Sequence, residues 1–244
     1  MNGKGPYRKG IYPRVSFSYC YWMQSVILVH GAWHGAWCWD QVCQLLSDAD
    51  VPAMTVNLPF TGYEDDVQAV ENVIDQLGAE TILLGHSYGG KVISKAAEGK
   101  ENVTNLVYLC ALLLREGEPF AGHDQDPHPS SIQIEVAKDL SCSVKPSAAL
   151  PAFYTDVDDK IAKEATKRLR PLPVTSFDAG VGEAWRNIQT TYVICNRDAA
   201  IHPDRQRQMA ELAGHTIEWS CGHSPFLSKP RLVADLLSTL ATKS

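Results

Sequence analysis

The stretch Gly85-His86-Ser87-Tyr88-Gly89-Gly90 constrains this chain more than any other. An apolar run at 81–84 leads into it and a helical pattern at 91–97 leaves it. A serine in a G-x-S-x-G turn between a buried strand and a helix is held in a sharp, strained bend with its hydroxyl exposed above the sheet. Gly85 and Gly89 are required because a side chain at either place would collide with crowded backbone. The pentapeptide alone is weak, since roughly one chain in ten of this size carries it by chance. Its place between a strand and a helix gives it weight.

The rest of the chain supports that placement. Continuously apolar runs at 25–30, 52–58, 81–84 and 103–109 read as strands, with helical patterns at 36–46, 65–77 and 91–97 between them. Asp65 and Asp66 favour a helix start there, and Gly78 its stop. The rhythm resumes with strands at 190–195 and 215–219, a helix at 204–212, and a final helix from Pro230. That last helix is expected to turn Leu232, Val233, Leu236, Leu237 and Leu240 to one face. Apolar strands alternating with helices predict an α/β fold, a mostly parallel doubly wound sheet with helices on both faces. Between 112 and 186 the alternation breaks into proline-rich patches and helical pieces such as 158–169, with no convincing strand. We expect a core of 23–111 and 187–244, an inserted helical lid at 112–186, and a leader of unclear role at 1–22, possible sheet-edge pairing at 15–21 included.

A serine hydroxyl is a poor nucleophile without a base, and the base needs an orienting acid. After a turn of this kind the acid and then the histidine follow in later strand-end loops. Asp198 follows the strand at 190–195, with Asp204 and Asp178 as alternatives, and His223 follows the strand at 215–219. Charge developing on a carbonyl oxygen calls for preorganised N–H donors. Tyr88 N–H is expected to be one, and Ala32 N–H, in the loop His30-Gly31-Ala32-Trp33-His34-Gly35, the other. Trp33, Tyr154, Trp185 and Phe226 are expected to line a substrate pocket. Lys91 is expected to be exposed, and the run 123–128, with His123 and His128, reads as a solvated lid loop rather than a metal site.

Composition narrows the partners. Formal net charge is -6 with no basic block, so no face is offered to nucleic acid. No stretch approaches the 18 or so apolar residues that span a bilayer. The first 22 residues lack the apolar region of a secretory signal. Seven scattered cysteines (Cys20, Cys38, Cys43, Cys110, Cys142, Cys195, Cys221) form no C-x-x-C pair, which suits a reduced, cytoplasmic protein. A monomer or homodimer needing no metal or cofactor and acting on a small-molecule ester is the expectation.

The motifs VHGAWHGAWCW (29–39), GHSYGG (85–90), CNRD (195–198), GHSPFLSKP (222–230) and FYTDVDDKIAKEATKRLRPLP (153–173) resemble the methylesterase and hydroxynitrile-lyase branch of the α/β-hydrolases. Bacterial esterases, pyrethroid-hydrolysing ones included, are similar. The resemblance spans nearly everything after Met23 and implies a serine esterase with Ser87, His223 and Asp198 as its triad. Plant lyases of this type carry a threonine after the first-strand histidine, Glu before the nucleophile, Cys after it, and Lys beside the catalytic histidine. Here those places hold Gly31, His86, Tyr88 and Ser224, which matches the esterase side, although Tyr88 is bulkier than the residue usual in methylesterases. A lyase, another non-hydrolytic enzyme of this fold, or a ligand-binding receptor with residual hydrolysis are the alternatives.

Overall fold

The computed structural model describes residues 23–118 and 131–242. β1 (Ser25–Val29) is buried along both faces, and a 3-10 turn (Ala36–Trp39) leads from it into α1 (Asp40–Asp48). β2 (Ala53–Val56) is shorter than its apolar run because Leu58 N–H donates to His30 Nε2, at 3.0 Å, rather than to a neighbouring strand. α2 (Tyr63–Leu77) opens on Glu64, Asp65 and Asp66, which suit the positive end of the helix dipole. It closes on Gly78 at φ 56, a left-handed cap that glycine adopts without steric cost. β3 (Thr81–His86) is wholly buried and runs into α3 (Tyr88–Ala96), and β4 (Val103–Leu109) follows.

Among the described residues between β4 and the next strand of the large sheet lie three α-helices, α4 (Pro146–Phe153), α5 (Asp159–Lys167) and α6 (Thr175–Asp178), and a 3-10 turn (Ala184–Arg186). The same segment holds three short antiparallel strands, β5 (Ile134–Val136), β6 (Ser141–Val144) and β7 (Leu172–Pro173). The expectation that this segment lacks strands is therefore corrected. β5 is exposed throughout and β7 has two residues, so neither leaves the alternation by which a half-buried strand is recognised. The run with His123 and His128, and the leader with its proposed edge pairing, lie outside the described residues.

β8 (Gln189–Cys195), α7 (Pro203–Ala210), β9 (His215–Trp219), α8 (Pro225–Ser228) and α9 (Pro230–Ala241) complete the chain. The large sheet has the order β2-β1-β3-β4-β8-β9, every pair parallel. Alternate residues of its strands feed two cores. Ile27, Val29, Leu83 and Tyr108 face α2 and α3, whereas Val26, Leu28, Ile82 and Val107 face α1 and α9. This two-sided burial is why the strands read as unbroken apolar runs. α9 meets α1 through Val233, Ala234, Leu237 and Ala241, and Leu232 is left 41% exposed, so its expected inward face is corrected by rotation toward the two alanines.

Candidate active site

The carboxyl-terminal ends of β1, β3, β8 and β9 lie at one edge of the parallel sheet, where β3 runs into Ser87. β3 delivers this serine at φ 51, ψ −122, a strained conformation for a non-glycine residue and one that costs about 1–3 kcal/mol. The close approach that permits it explains the two glycines. A Cβ on Gly85 would lie 2.6 Å from Gly89 O, and one on Gly89 2.7 Å from His30 O. Ser87 O accepts from Gly90 N and Leu112 N, both at 3.0 Å, which fixes the turn. Tyr88 N–H opens α3, where the first-turn donors have no partner within the helix.

The loop after β8 turns Asp198 inward, where it is buried. Its Oδ1 accepts from Ala200 N (2.7 Å) and Ile201 N (3.0 Å), and its Oδ2 from Gln206 Nε2 (2.8 Å) and His223 Nδ1 (2.7 Å). Four donors around one carboxyl fix its orientation. The loop after β9 supplies His223. With Nδ1–H committed to Asp198, Nε2 is the ring nitrogen left as a base. The His223 carbonyl accepts from His86 Nε2 at 2.8 Å, and the two rings lie 4.6 Å apart, so the neighbour of the serine also holds the histidine. Gly222 N–H donates to Asp156 Oδ2 at 2.9 Å, and a Cβ on Gly222 would meet Thr155 Oγ1 at 2.5 Å. Neither alternative acid reaches His223 in this way: Asp204 pairs with Arg207, and Asp178 lines a cavity beside Lys91.

The loop after β1 passes over Ser87. Gly31 is the contact point, where a Cβ would lie 2.8 Å from both His86 Nδ1 and Ser87 Cβ. Ala32 is buried there, and Trp33 adopts φ 63. His30 and His34 are locked as neutral tautomers. His30 Nδ1–H donates to Gly31 O while Nε2 accepts from Leu58 N. His34 Nδ1–H donates to Ala32 O while Nε2 accepts from Tyr154 OH. Burial holds His30 down at about 3 and His34 at about 4, and it drives His86 well below the ordinary range. His86, Cys110 and His223 form the described cluster with metal-capable atoms. Those of His86 and Cys110 donate to the His223 carbonyl, and His223 Nδ1 serves Asp198.

The expected pocket residues part company. Trp33 lines a cavity of about 590 Å³ with Leu114, Ile132, Val174, Phe177 and Val181. Tyr154 is buried against His34. Phe226 is fully buried 5.0 Å from the Trp39 ring and 4.8 Å from that of His86, in the core on the α1 and α9 side. Trp185 lies beside Gln189 and Thr190 at the start of β8, the opposite end of that strand from Asp198. Of the four, Trp33 alone is among that cavity's lining residues, and Tyr154, Trp185 and Phe226 pack elsewhere.

Lys91 is also corrected. It is buried, with Nζ donating to Ser176 O and Phe177 O at 3.1 Å and lying 4.6 Å from the Tyr63 ring centre. Burial lowers its pKa to about 8, against the pull of Asp178 and Glu64. The Tyr88 side chain turns into the core, where its hydroxyl donates to Asp66 Oδ2 at 2.9 Å. Arg170 went unmarked in the sequence because it acts on loops more than a hundred residues away, and Gln206 because its reach back to Asp198, eight residues earlier, follows no sequence motif.

A family model described as the alpha/beta hydrolase family matches residues 26–236. Norfluorocurarine synthase 1 of a Strychnos species is 24% identical over 252 residues, covering 89% of this chain and 95% of that protein. The carbendazim hydrolyzing esterase of a Nocardioides species is 25% identical over 248 residues, covering 89% of this chain and 100% of that one. Among solved structures, methylesterase MES16 from Arabidopsis superposes with a TM-score of 0.75 at 21% identity, covering 89% of this chain and 98% of the other. The match over 26–236, on a six-stranded parallel sheet with a serine at the β3 turn, makes this chain a member of the alpha/beta hydrolase family.

Proposed function

We propose that this protein hydrolyses a small carboxylic ester by two-step acyl transfer. The observation that carries this reading is the 2.7 Å contact between His223 Nδ1 and Asp198 Oδ2, at the same sheet edge as the strained Ser87. Ser87 Oγ adds to the ester carbonyl carbon while His223 Nε2 takes the hydroxyl proton. Asp198 holds the useful tautomer and stabilises the imidazolium. The carbonyl π pair moves onto oxygen, which the Ala32 and Tyr88 N–H groups receive. The C–O bond to the alcohol then breaks, and His223 returns the proton to the departing oxygen. Water, deprotonated by the same nitrogen, adds to the acyl carbon, the C–O bond to Ser87 Oγ breaks as His223 returns the proton to that oxygen, and the acid leaves, so no step calls for a metal or cofactor.

The lyase alternative fares worse at Gly31, where His86 Nδ1 and Ser87 Cβ leave no room for a hydroxyl-bearing side chain. Aldehyde release from a cyanohydrin would reverse that judgement. The direct test is hydrolysis of p-nitrophenyl esters of graded acyl length by wild type and Ser87→Ala. Ser87→Ala is expected to fall below about a thousandth of wild-type kcat. Activity retained above that level removes Ser87 as nucleophile, and tight ligand binding with no turnover by wild type points to a receptor.

A further inference from the structure

Four carbonyls line the loop over Ser87, and each has a donor. Gly31 O takes His30 Nδ1–H and His34 N–H, and Ala32 O takes His34 Nδ1–H. Trp33 O takes Arg170 N–H at 2.7 Å, and His34 O takes the Arg170 side chain through Nε (3.3 Å) and Nη2 (3.1 Å). Arg170 therefore holds half of them, although it comes from the inserted segment between α5 and β7. Its Nη2 also donates to Leu58 O at 3.0 Å, and its guanidinium lies 4.6 Å from the Phe60 ring centre, tying the loop after β1 to the loop after β2. Two more ties come from the same segment: Trp33 Nε1–H donates to Cys142 O at 3.2 Å, and Tyr154 OH meets His34 Nε2.

We infer that Arg170 is a positioning residue that sets the direction of the Ala32 N–H by clamping the Trp33 and His34 carbonyls. Peptide units are planar, so the Trp33 carbonyl fixes the His34 N–H, which donates to Gly31 O, and Gly31 O shares its plane with the Ala32 N–H. Trp33 sits in a left-handed conformation that a bulky residue leaves readily. Loss of the side chain leaves the main-chain contact to Trp33 O but frees His34 O and Leu58 O, so the peptide after His34 can rotate, and the His34 ring that holds Ala32 O moves with it. The inserted segment thus does more than cover the site, since it carries the brace for one arm of the oxyanion hole. A lysine is a poor substitute, because its ammonium lacks the rigid plane in which Nε and Nη2 together meet His34 O and its flexible stem is not preorganised for that contact. The inference rests on the reading of Ala32 N–H as an oxyanion donor.

The experiment compares full-length wild type, Arg170→Met and Arg170→Lys on a p-nitrophenyl ester, with melting temperatures measured alongside. Displaced donors cost catalysis rather than binding, so Arg170→Met is expected to lose about 10- to 100-fold in kcat with KM within about threefold, and Arg170→Lys to lose most of the same. A trifluoromethyl ketone provides the second readout. Ser87 Oγ adds to its carbonyl carbon, the proton passes to His223, and the new oxyanion occupies the hole. Its affinity is expected to fall by the same factor as kcat, while the matched methyl ketone, which does not add, binds as before. Should Arg170→Met fail to fold, Arg170→Lys carries the same comparison. Wild-type kcat in a folded variant, or a raised KM at unchanged kcat, overturns the inference. Ser87→Ala is run in parallel: activity there sinks the ester reading itself, whereas an inactive Ser87→Ala beside a fully active Arg170→Met sinks only the role of Arg170.

Discussion

Gly31 decides how closely the first loop can approach the serine. Its missing side chain leaves the space that His86 Nδ1 and Ser87 Cβ already border at 2.8 Å. Gly31→Ala is therefore expected to lower kcat about tenfold or more through displacement of Ser87, since small shifts in reacting geometry are costly. Steady-state kinetics on a chromogenic ester check it, and an unchanged kcat would show that the loop yields freely. Asp198 makes the opposite point, because four donors fix its carboxyl in place. Asp198→Asn keeps the shape but offers His223 the wrong partner, and kcat is expected to drop by about 10⁴-fold. Ser87, Asp198 and His223 were legible in the sequence because each sits directly after a recognisable strand. Gln206, which donates to Asp198 from α7, was not, because no motif marks a helix side chain that folds back onto the loop before it.

At the scale of elements, apolar periodicity located the strands and helices better than it oriented them. α9 illustrates the limit. Its leucines form a plausible stripe, but packing against α1 selects Val233, Ala234, Leu237 and Ala241. Leu237→Ala is expected to cost about 2–5 kcal/mol, whereas Leu232→Ala should change stability by less than about 0.5 kcal/mol. Urea denaturation distinguishes them, and equal losses would mean that the helix is turned as the leucine stripe suggests. The strands of the inserted segment were missed for a different reason. Two to four residues, partly exposed, are too few for a period of two to register.

For the molecule as a whole, buried titratable groups set opposing pH trends. His30 and His34 titrate at about 3 and about 4 when folded, against an ordinary 6.5. Below pH 6.5 the unfolded chain therefore binds protons that the folded chain refuses, and stability falls as the solution is acidified toward pH 4. Asp66 works the other way. Burial raises its carboxyl from 3.8 to about 6, so its contribution is full below 3.8 and is lost as pH rises through 6. Asp66→Asn removes that loss. The stability of Asp66→Asn relative to wild type is expected to grow by about 2 kcal/mol between pH 4 and pH 7. Melting curves across that range test it, and a constant difference would mean that Asp66 is not protonated in the folded state near pH 5. Among the described residues, no helix is long and apolar enough to cross a membrane.

The sequence alone determined the parallel α/β sheet, the strained turn at Ser87, and the loops holding Asp198 and His223, because each depends on neighbours within a few residues. Tertiary structure decided that Lys91 is buried, that Trp185 and Phe226 pack away from the cavity that Trp33 lines, and that Arg170 reaches the loop after β1. Those outcomes depend on which faces meet across the fold, and contacts between residues more than a hundred positions apart leave no trace in local pattern.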